Sequence, residues 1–333
     1  MPLTSIVACQ IFAIADVPGR REELPPPPLS QAFVSLIFDG GFMNNTDVGQ
    51  FGNLSKRTAG LEVFAEGRLT RNLHWDLRLE QRFDEYDFAG TGVLDGGNPN
   101  DPAGDDFDTS DQPWRNVYTT TFALEFSRKE GANTTFGGIG MQAARQRSAD
   151  YGDGRAFSGH WGITTRYSDD LAFGWGLSIR EQIDGPTQFI PVLALDWALT
   201  NDLSVEGWFG PWEIREPRID IVWEAFSEWD LFAGFGYRRD RFRLDDFSGI
   251  DIDVDGDIDD ETIEEWFQGV GQDSAFPIWV GARYVPSLYQ SFEVRVGRDI
   301  QGELQLRDRS GSPLLNSDYD GALAVSLRWQ LRY

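Results

Sequence analysis

The chain is poor in the residue types on which enzyme chemistry most often rests. Its 333 residues hold one cysteine, Cys9, two histidines, His74 and His160, and two lysines, Lys56 and Lys129. A single cysteine near the N-terminus excludes an internal disulfide framework and a thiolate metal site. Two histidines give the nucleophile-and-base arrangement of hydrolases few ways to form. No Gly-rich phosphate loop or redox motif is present, and the chain reads as a non-enzyme. Long hydrophobic runs are also lacking: no stretch approaches the roughly 20 apolar residues of a membrane helix, and mean hydropathy is −0.38. Bases are scarce, with 29 Lys and Arg against 54 Asp and Glu and a formal charge of −25. Such a chain repels phosphate, which excludes a nucleic-acid partner.

The N-terminal segment reads separately from the rest. Residues 3–14 form a short apolar run that ends in Ala13-Ile14-Ala15, an A-x-A pattern suited to signal-peptide cleavage. The missing basic region before it points to a true start upstream of Met1. Ile6-Val7-Ala8-Cys9 offers the alternative of a lipoprotein processing box. Pro25 to Pro28 then make a stiff spacer. The expected organisation is a signal-peptide remnant and Pro-rich lead over 1–29, followed by one domain over 30–333.

What the chain has in quantity is aromatic residues and glycine: 24 Phe, 12 Trp and 36 Gly. From residue 30 onward the hydrophobic period is 2, not 3.6. Leu323, Val325, Leu327, Trp329, Leu331 and Tyr333 alternate with Ala324, Ser326, Arg328, Gln330 and Arg332. The same pattern sets Leu73, Trp75, Leu77 and Leu79 against His74, Asp76, Arg78 and Glu80, and Leu171, Phe173, Trp175, Leu177 and Ile179 against Ala172, Gly174, Gly176, Ser178 and Arg180.

Alternation alone does not separate a barrel from a soluble sandwich; connection lengths do. The pattern places fourteen strands at approximately 31–39, 57–69, 73–86, 114–127, 133–143, 158–168, 171–181, 188–199, 203–211, 218–227, 231–243, 274–285, 290–299 and 321–333. Merging the weaker ones gives twelve. Short turns, as at Thr70-Arg71-Asn72 and Thr200-Asn201-Asp202, alternate with mostly longer segments at 40–56, 87–113, 144–157, 182–187, 212–217, 244–273 and 300–320. This asymmetry is that of an all-β, transmembrane, antiparallel up-and-down β-barrel, with tight periplasmic turns and long extracellular loops. The location it implies is a bacterial outer membrane. Closure is required because an open sheet edge in hydrocarbon leaves a row of backbone groups unsatisfied.

Three details refine this. The aromatic last residue, Tyr333, on an alternating final strand resembles the signal read by outer-membrane insertion machinery, an expected partner beside the lipid bilayer itself. Trp75, Trp197, Trp208, Trp212, Trp223, Trp229, Tyr284, Tyr289, Trp329 and Tyr333 lie near strand ends, where interfacial girdles form. Pro191 cannot donate to a ladder, and a bulge is expected there.

The face opposite the lipid is charged. Arg68, Arg78, Glu80, Arg180, Asp196, Glu224, Arg283, Glu293, Arg295 and Arg328 are expected to face the lumen, with Glu62, Glu66, Asp76, Glu206 and Arg332. Facing rows of acid and base would create a transverse field that filters solutes. Alternatively the charges pair and close the interior. Outside the strands, Asp251, Asp253, Asp255, Asp257 and Asp259, with Gly256, match the ligand spacing of calcium loops. Thr262 stands where such loops carry a bidentate Glu. Calcium is therefore the one candidate cofactor, of weak affinity; the plainer alternative is a solvated acidic loop. The 87–113 segment is acidic without that spacing.

Residues 188–333 resemble a family of uncharacterised outer-membrane barrels known largely from planctomycetes. The resemblance rests on Asp196-Trp197-x-Leu199-Thr200-x-x-Leu203-Ser204, the Gly210-Pro211 step and the aromatic strands that follow. It implies a porin-like barrel and supplies no site residues. The expected function is passive passage of small solutes, with a preference for cations. The alternatives are a non-conducting structural or surface-interaction barrel with calcium-stabilised loops, and an outer-leaflet hydrolase built on His160 and Ser158.

Overall fold

The computed structural model describes residues 32–49, 52–89, 114–147, 149, 152–210, 217–244, 269–308, 312–319 and 321–333. Every regular element among them is a strand: β1 (Ala32–Asp47), β2 (Asn53–Arg68), β3 (Leu73–Ala89), β4 (Asn116–Glu130), β5 (Asn133–Gln146), β6 (Arg155–Arg166), β7 (Leu171–Gln182), β8 (Gly185–Ala198), β9 (Leu203–Phe209), β10 (Arg218–Phe226), β11 (Trp229–Gly236), β12 (Arg238–Arg243), β13 (Val270–Ser287), β14 (Gln290–Arg307), β15 (Pro313–Tyr319) and β16 (Ala322–Arg332).

Each strand from β1 to β11 pairs antiparallel with the next. β11 and β12 pair in turn with the same partner, β13 (Phe235↔Ile278, then Arg238↔Ala275), and so form one stave broken at Tyr237. β15 and β16 likewise share β14. The sixteen segments make fourteen staves, and β16 closes on β1 through Ser35↔Arg332. The sheet therefore has no open edge to satisfy in hydrocarbon. The up-and-down barrel read from the alternation is the observed fold.

The expected turns close the hairpins on one rim, and their chemistry repeats. Thr70 Oγ1 accepts from the Asn72 and Leu73 amides, Thr200 Oγ1 from those of Asp202 and Leu203, and Ser168 Oγ from that of Asp170. A short hydroxyl side chain caps each turn, as Ser/Thr turn motifs do. Both barrel termini, Ala32 and Tyr333, lie on this rim.

On the opposite rim several strands run further than their alternation suggests. β1 and β2 continue to Asp47 and Asn53, so most of the expected 40–56 loop is paired strand, and β14 reaches Arg307. The inner faces of these extensions are buried (Met43, Leu54, Leu304, Leu306), and pairing satisfies backbone that would otherwise be buried without partners. Pro191 brings no bulge. Its register with β7 is unbroken at Leu177↔Pro191, and the irregularity falls between Arg180 and Gln182. The described pairing of β8 with β9 ends at Leu193↔Phe209, short of Pro191.

The exterior is apolar. In β7, Phe173, Trp175, Leu177 and Ile179 are 37–57% exposed, whereas Ala172, Ser178 and Arg180 are buried. β16 repeats this, with Leu323, Leu327 and Trp329 exposed and Gln330 and Arg332 buried. A closed sheet with such an outer surface has a bilayer as its solvent. Trp197, Trp223, Trp229, Tyr289 and Tyr333 are exposed near the tight-turn rim, joined there by Tyr167. Trp208 departs from the expected girdle: it shares the parity of Glu206 and is buried inside the barrel.

Candidate functional site: the barrel interior

The interior wall is charged, with Arg180, Arg283, Glu293 and Arg332 among its buried side chains. Arg78 sits 3.2 Å from Glu62 and 2.8 Å from Glu80, both on its own or the adjacent strand. Arg328 contacts Asp39 at 3.0 Å and Glu62 at 3.2 Å. Glu293 receives Arg283 at 2.7 Å and Arg295 at 2.6 Å, and Arg332 bonds Glu66. These bases lie beside carboxylates along the wall, because strands 4.7–4.9 Å apart bring neighbours together more readily than opposite walls do. Arg68 lies at the tight-turn rim and donates to the Arg71 carbonyl at 2.6 Å. Arg180 and Asp196 are buried, and Glu224 stands directly across from Asp230.

Two rows of carboxylates cross adjacent strands near the tight-turn end. Glu66, Asp76 and Glu125 stand directly opposite one another on β2, β3 and β4, and Asp196, Glu206 and Asp220 do so on β8, β9 and β10. Glu125 and Asp220 escaped the sequence reading. The available signal was their distance from the tight turns, four or more residues up each hairpin, which sets their height. Arg218 contacts Asp220 at 2.9 Å, and Trp279 Nε1 donates to it at 2.8 Å.

Between these rows the wall is aromatic. Phe136 and Trp208 pack with Ala123, Val192 and Ala194, while Val222, Phe232 and Trp279 form a second cluster. His160 lies mid-strand within the first cluster, its Nε2 4.0 Å from Glu125 Oε1 and its ring 5.9 Å from Phe136 and 6.2 Å from Trp208. It does not stand at the outer rim, where the hydrolase alternative placed it. Gly138 separates the two residues: a Cβ there would meet the Leu124 carbonyl oxygen at 2.6 Å and His160 Cε1 at 2.9 Å.

Toward the outer end the barrel is crossed by its own chain. β12, the first part of β13, the last part of β14 and β15 form a four-stranded leaf. Beyond Tyr237 the edge of β12 away from β13 meets β5 in a parallel pair at Arg243↔Arg145, six staves away around the ring. Asp273, fully buried on the leaf, accepts from Lys56 Nζ (3.1 Å), Tyr86 Oη (3.2 Å) and Tyr319 Oη (2.8 Å). Asp240 receives Lys56 at 3.1 Å and Arg82 as well. Arg238 reaches Asp299 at 2.9 Å. Arg241 donates to Gln182 and to the Asp184 carbonyl, and Arg243 to the Asp153 carbonyl and the Asp184 carboxylate. Phe242 completes an aromatic group with Trp114 and Tyr86 at ring distances of 5.4 and 5.9 Å. The sequence reading took 231–243 as one wall strand and missed this crossing.

Below the leaf lies a cavity of about 340 Å3. Asp39, Arg78, Glu80, Arg295 and Arg328 line its wall, and Lys56, Arg82, Arg238 and Asp240 its outer side. Acid and base are present together, so the cavity has no single sign. The Asp251–Asp259 calcium motif lies outside the described residues. Among the described residues no cluster of three or more His, Cys, Asp or Glu has the geometry of a metal site.

The chain matches no known protein family and no curated protein, so the resemblance over residues 188–333 rests on its turn and aromatic motifs. Solved structures do match in fold. A deltaS2 mutant of TodX, a monoaromatic hydrocarbon channel, aligns over 93% of this chain and 91% of its own at 8% identity, with a TM-score of 0.51; TodX itself is a toluene transporter of Pseudomonas putida. An outer-membrane channel from Pseudomonas putida F1 aligns over 96% and 100% at 10% identity and a TM-score of 0.46. A Pseudomonas aeruginosa FadL homologue aligns over 90% and 89% at 10% identity and 0.41. At such identities what the first of these shows is the fold. Together with the apolar exterior, that fold makes the chain an outer-membrane β-barrel.

Proposed function

We propose that the barrel is a channel for passive passage of small solutes, with a preference for cations. The observation that carries this is the pair of carboxylate rows, Glu66–Asp76–Glu125 and Asp196–Glu206–Asp220, on separated parts of the inner wall near the tight-turn end. Rings of Asp and Glu favour cations in pores. Like charges directly across a strand pair oppose one another, so an arrangement repeated on two parts of the wall carries a cost that packing alone does not call for. Arg332 on Glu66 and Arg218 on Asp220 offset part of that charge and leave a graded field. The deltaS2 TodX structure, whose fold this chain shares, is that of a hydrocarbon channel, which agrees with this reading.

The test is the reversal potential of the refolded barrel in a planar bilayer under a KCl gradient. Cation preference is expected, and the sextuple neutral variant E66Q/D76N/E125Q/D196N/E206Q/D220N should lose most of it. An anion-preferring wild type, or a variant as selective as the parent, would overturn the assignment. A second reading, a non-conducting barrel, is favoured by the leaf that crosses the outer end. It predicts silence from wild-type and variant barrels alike.

A further inference from the structure

We propose that the leaf is a hinged gate, which closes the outer end when its buried ion pairs are made and opens an axial path when they break. The proposal rests on the channel reading above and concerns its regulation.

The first argument is the line along which the leaf joins the barrel. β11 and β12 meet at Tyr237, whose amide bonds the Pro217 carbonyl, and the register with β13 runs through this point unshifted. In β13–β14 the register shifts between Ser274 and Phe276. In β14, Gln301 takes φ +50°, and Gly321, between β15 and β16, takes φ +81°. Gln301 is in the left-handed region that side chains disfavour. Register places these breaks at one height, since Arg238 pairs with Ala275, Phe276 with Ile300, and Gly302 with Tyr319. The bulge at Gln301 opposite the β13 shift and the Gly321 join lie at one height, and that is where a hinge would absorb its backbone change.

The second argument is what fastens the leaf. Asp273 and Asp240 hold Lys56 and Arg82 of the facing wall, and β12 reaches β5 at Arg145. At the other edge, Ser317 Oγ donates to the Val48 carbonyl at 2.6 Å. These contacts join side chains on separate parts of the wall. A buried ion pair that loses one partner leaves an uncompensated charge, so the fastened state is lost as a unit. The charged cavity lies directly beneath, and swinging the leaf outward would join it to the outer side.

The test is single-channel recording of the full chain carrying C9S, with R145C/R243C added to tie β12 to β5. The two cysteines are expected to join on oxidation, to silence the barrel, and to release it on reduction. In the reduced background D273N, which removes one of the leaf carboxylates that hold Lys56, should raise the open fraction about tenfold or more; K56M serves if D273N does not fold. Equal conductance of the oxidised and reduced barrels, with the crosslink shown by mass, would overturn the gate and leave the channel standing. Failure of the cysteines to join would contradict the crossing itself. Silence of reduced, oxidised and unfastened barrels, all shown to be folded, would overturn the channel and the gate together.

Discussion

At the scale of single residues, parity decides almost everything, because each side chain in this barrel meets either lipid or lumen. Leu177 is 53% exposed on the outside of β7, between Gly176 and buried Ser178. Leu177→Arg near the middle of the span is expected to cost about 2–4 kcal/mol, the range for basic residues at the midplane of such barrels. Urea titration of the folded barrel in lipid vesicles measures it, and a loss below about 0.5 kcal/mol would place Leu177 against protein or water instead. Parity is legible in the sequence for the same reason: alternation sets Arg180, Glu293 and Arg328 on the face opposite the lipid, where Arg180 is buried and Glu293 and Arg328 make ion pairs. Trp208 was misread because its chemistry suggested a girdle while its parity, shared with Glu206, pointed inward. Where composition and alternation disagree inside a closed sheet, alternation prevails, since flipping one residue would flip its whole strand.

At the scale of elements, the tight turns were the most legible parts, because a Thr or Ser ahead of two polar residues carries its own hydrogen-bonding solution. The leaf was the least legible. Period-2 alternation reports which face a residue takes and says nothing of where a strand axis bends, and the partners of β12 (Lys56, Arg82, Arg145, Asp184) are distant in sequence. The extensions of β1 and β14 were hidden similarly, as Gly40-Gly41 and Asn44-Asn45 dilute the pattern over paired backbone. The last strand makes an element-scale prediction. Tyr333 is exposed on the outside of the closing seam, and its backbone exchanges bonds with Val34 at 2.8 and 3.1 Å. Tyr333→Ala keeps those backbone bonds and removes only the aromatic end. If insertion machinery reads that end, the variant should refold from urea like the parent but accumulate less in the outer membrane of an expressing cell. Equal accumulation would assign Tyr333 to the lipid interface alone.

At the scale of the whole molecule the charge is unevenly distributed. Interior bases such as Arg78, Arg295 and Arg328 sit against carboxylates, whereas the sequence segments 87–113 and 244–273 carry seven and twelve acids and no base. Each joins two strands at the ends away from the tight turns, and apart from Asp273, which is buried on the leaf, their acids add to the −25 with no base beside them in the sequence. On the channel proposal, a cation entering from that side is expected to meet the charge of these segments first and then, beyond the cavity, the two carboxylate rows. The two sources respond differently to salt. Exposed charge acts over a screening length of about 10 Å at 0.1 M and about 3 Å at 1 M, while partly buried groups are screened far less. The cation-to-anion permeability ratio is therefore expected to fall between 0.1 and ~1 M KCl without reaching unity. The residue left at high salt measures the carboxylate rows. A ratio of one at high salt would assign selectivity wholly to the mouth, and a ratio unchanged by salt would assign it wholly to the interior wall.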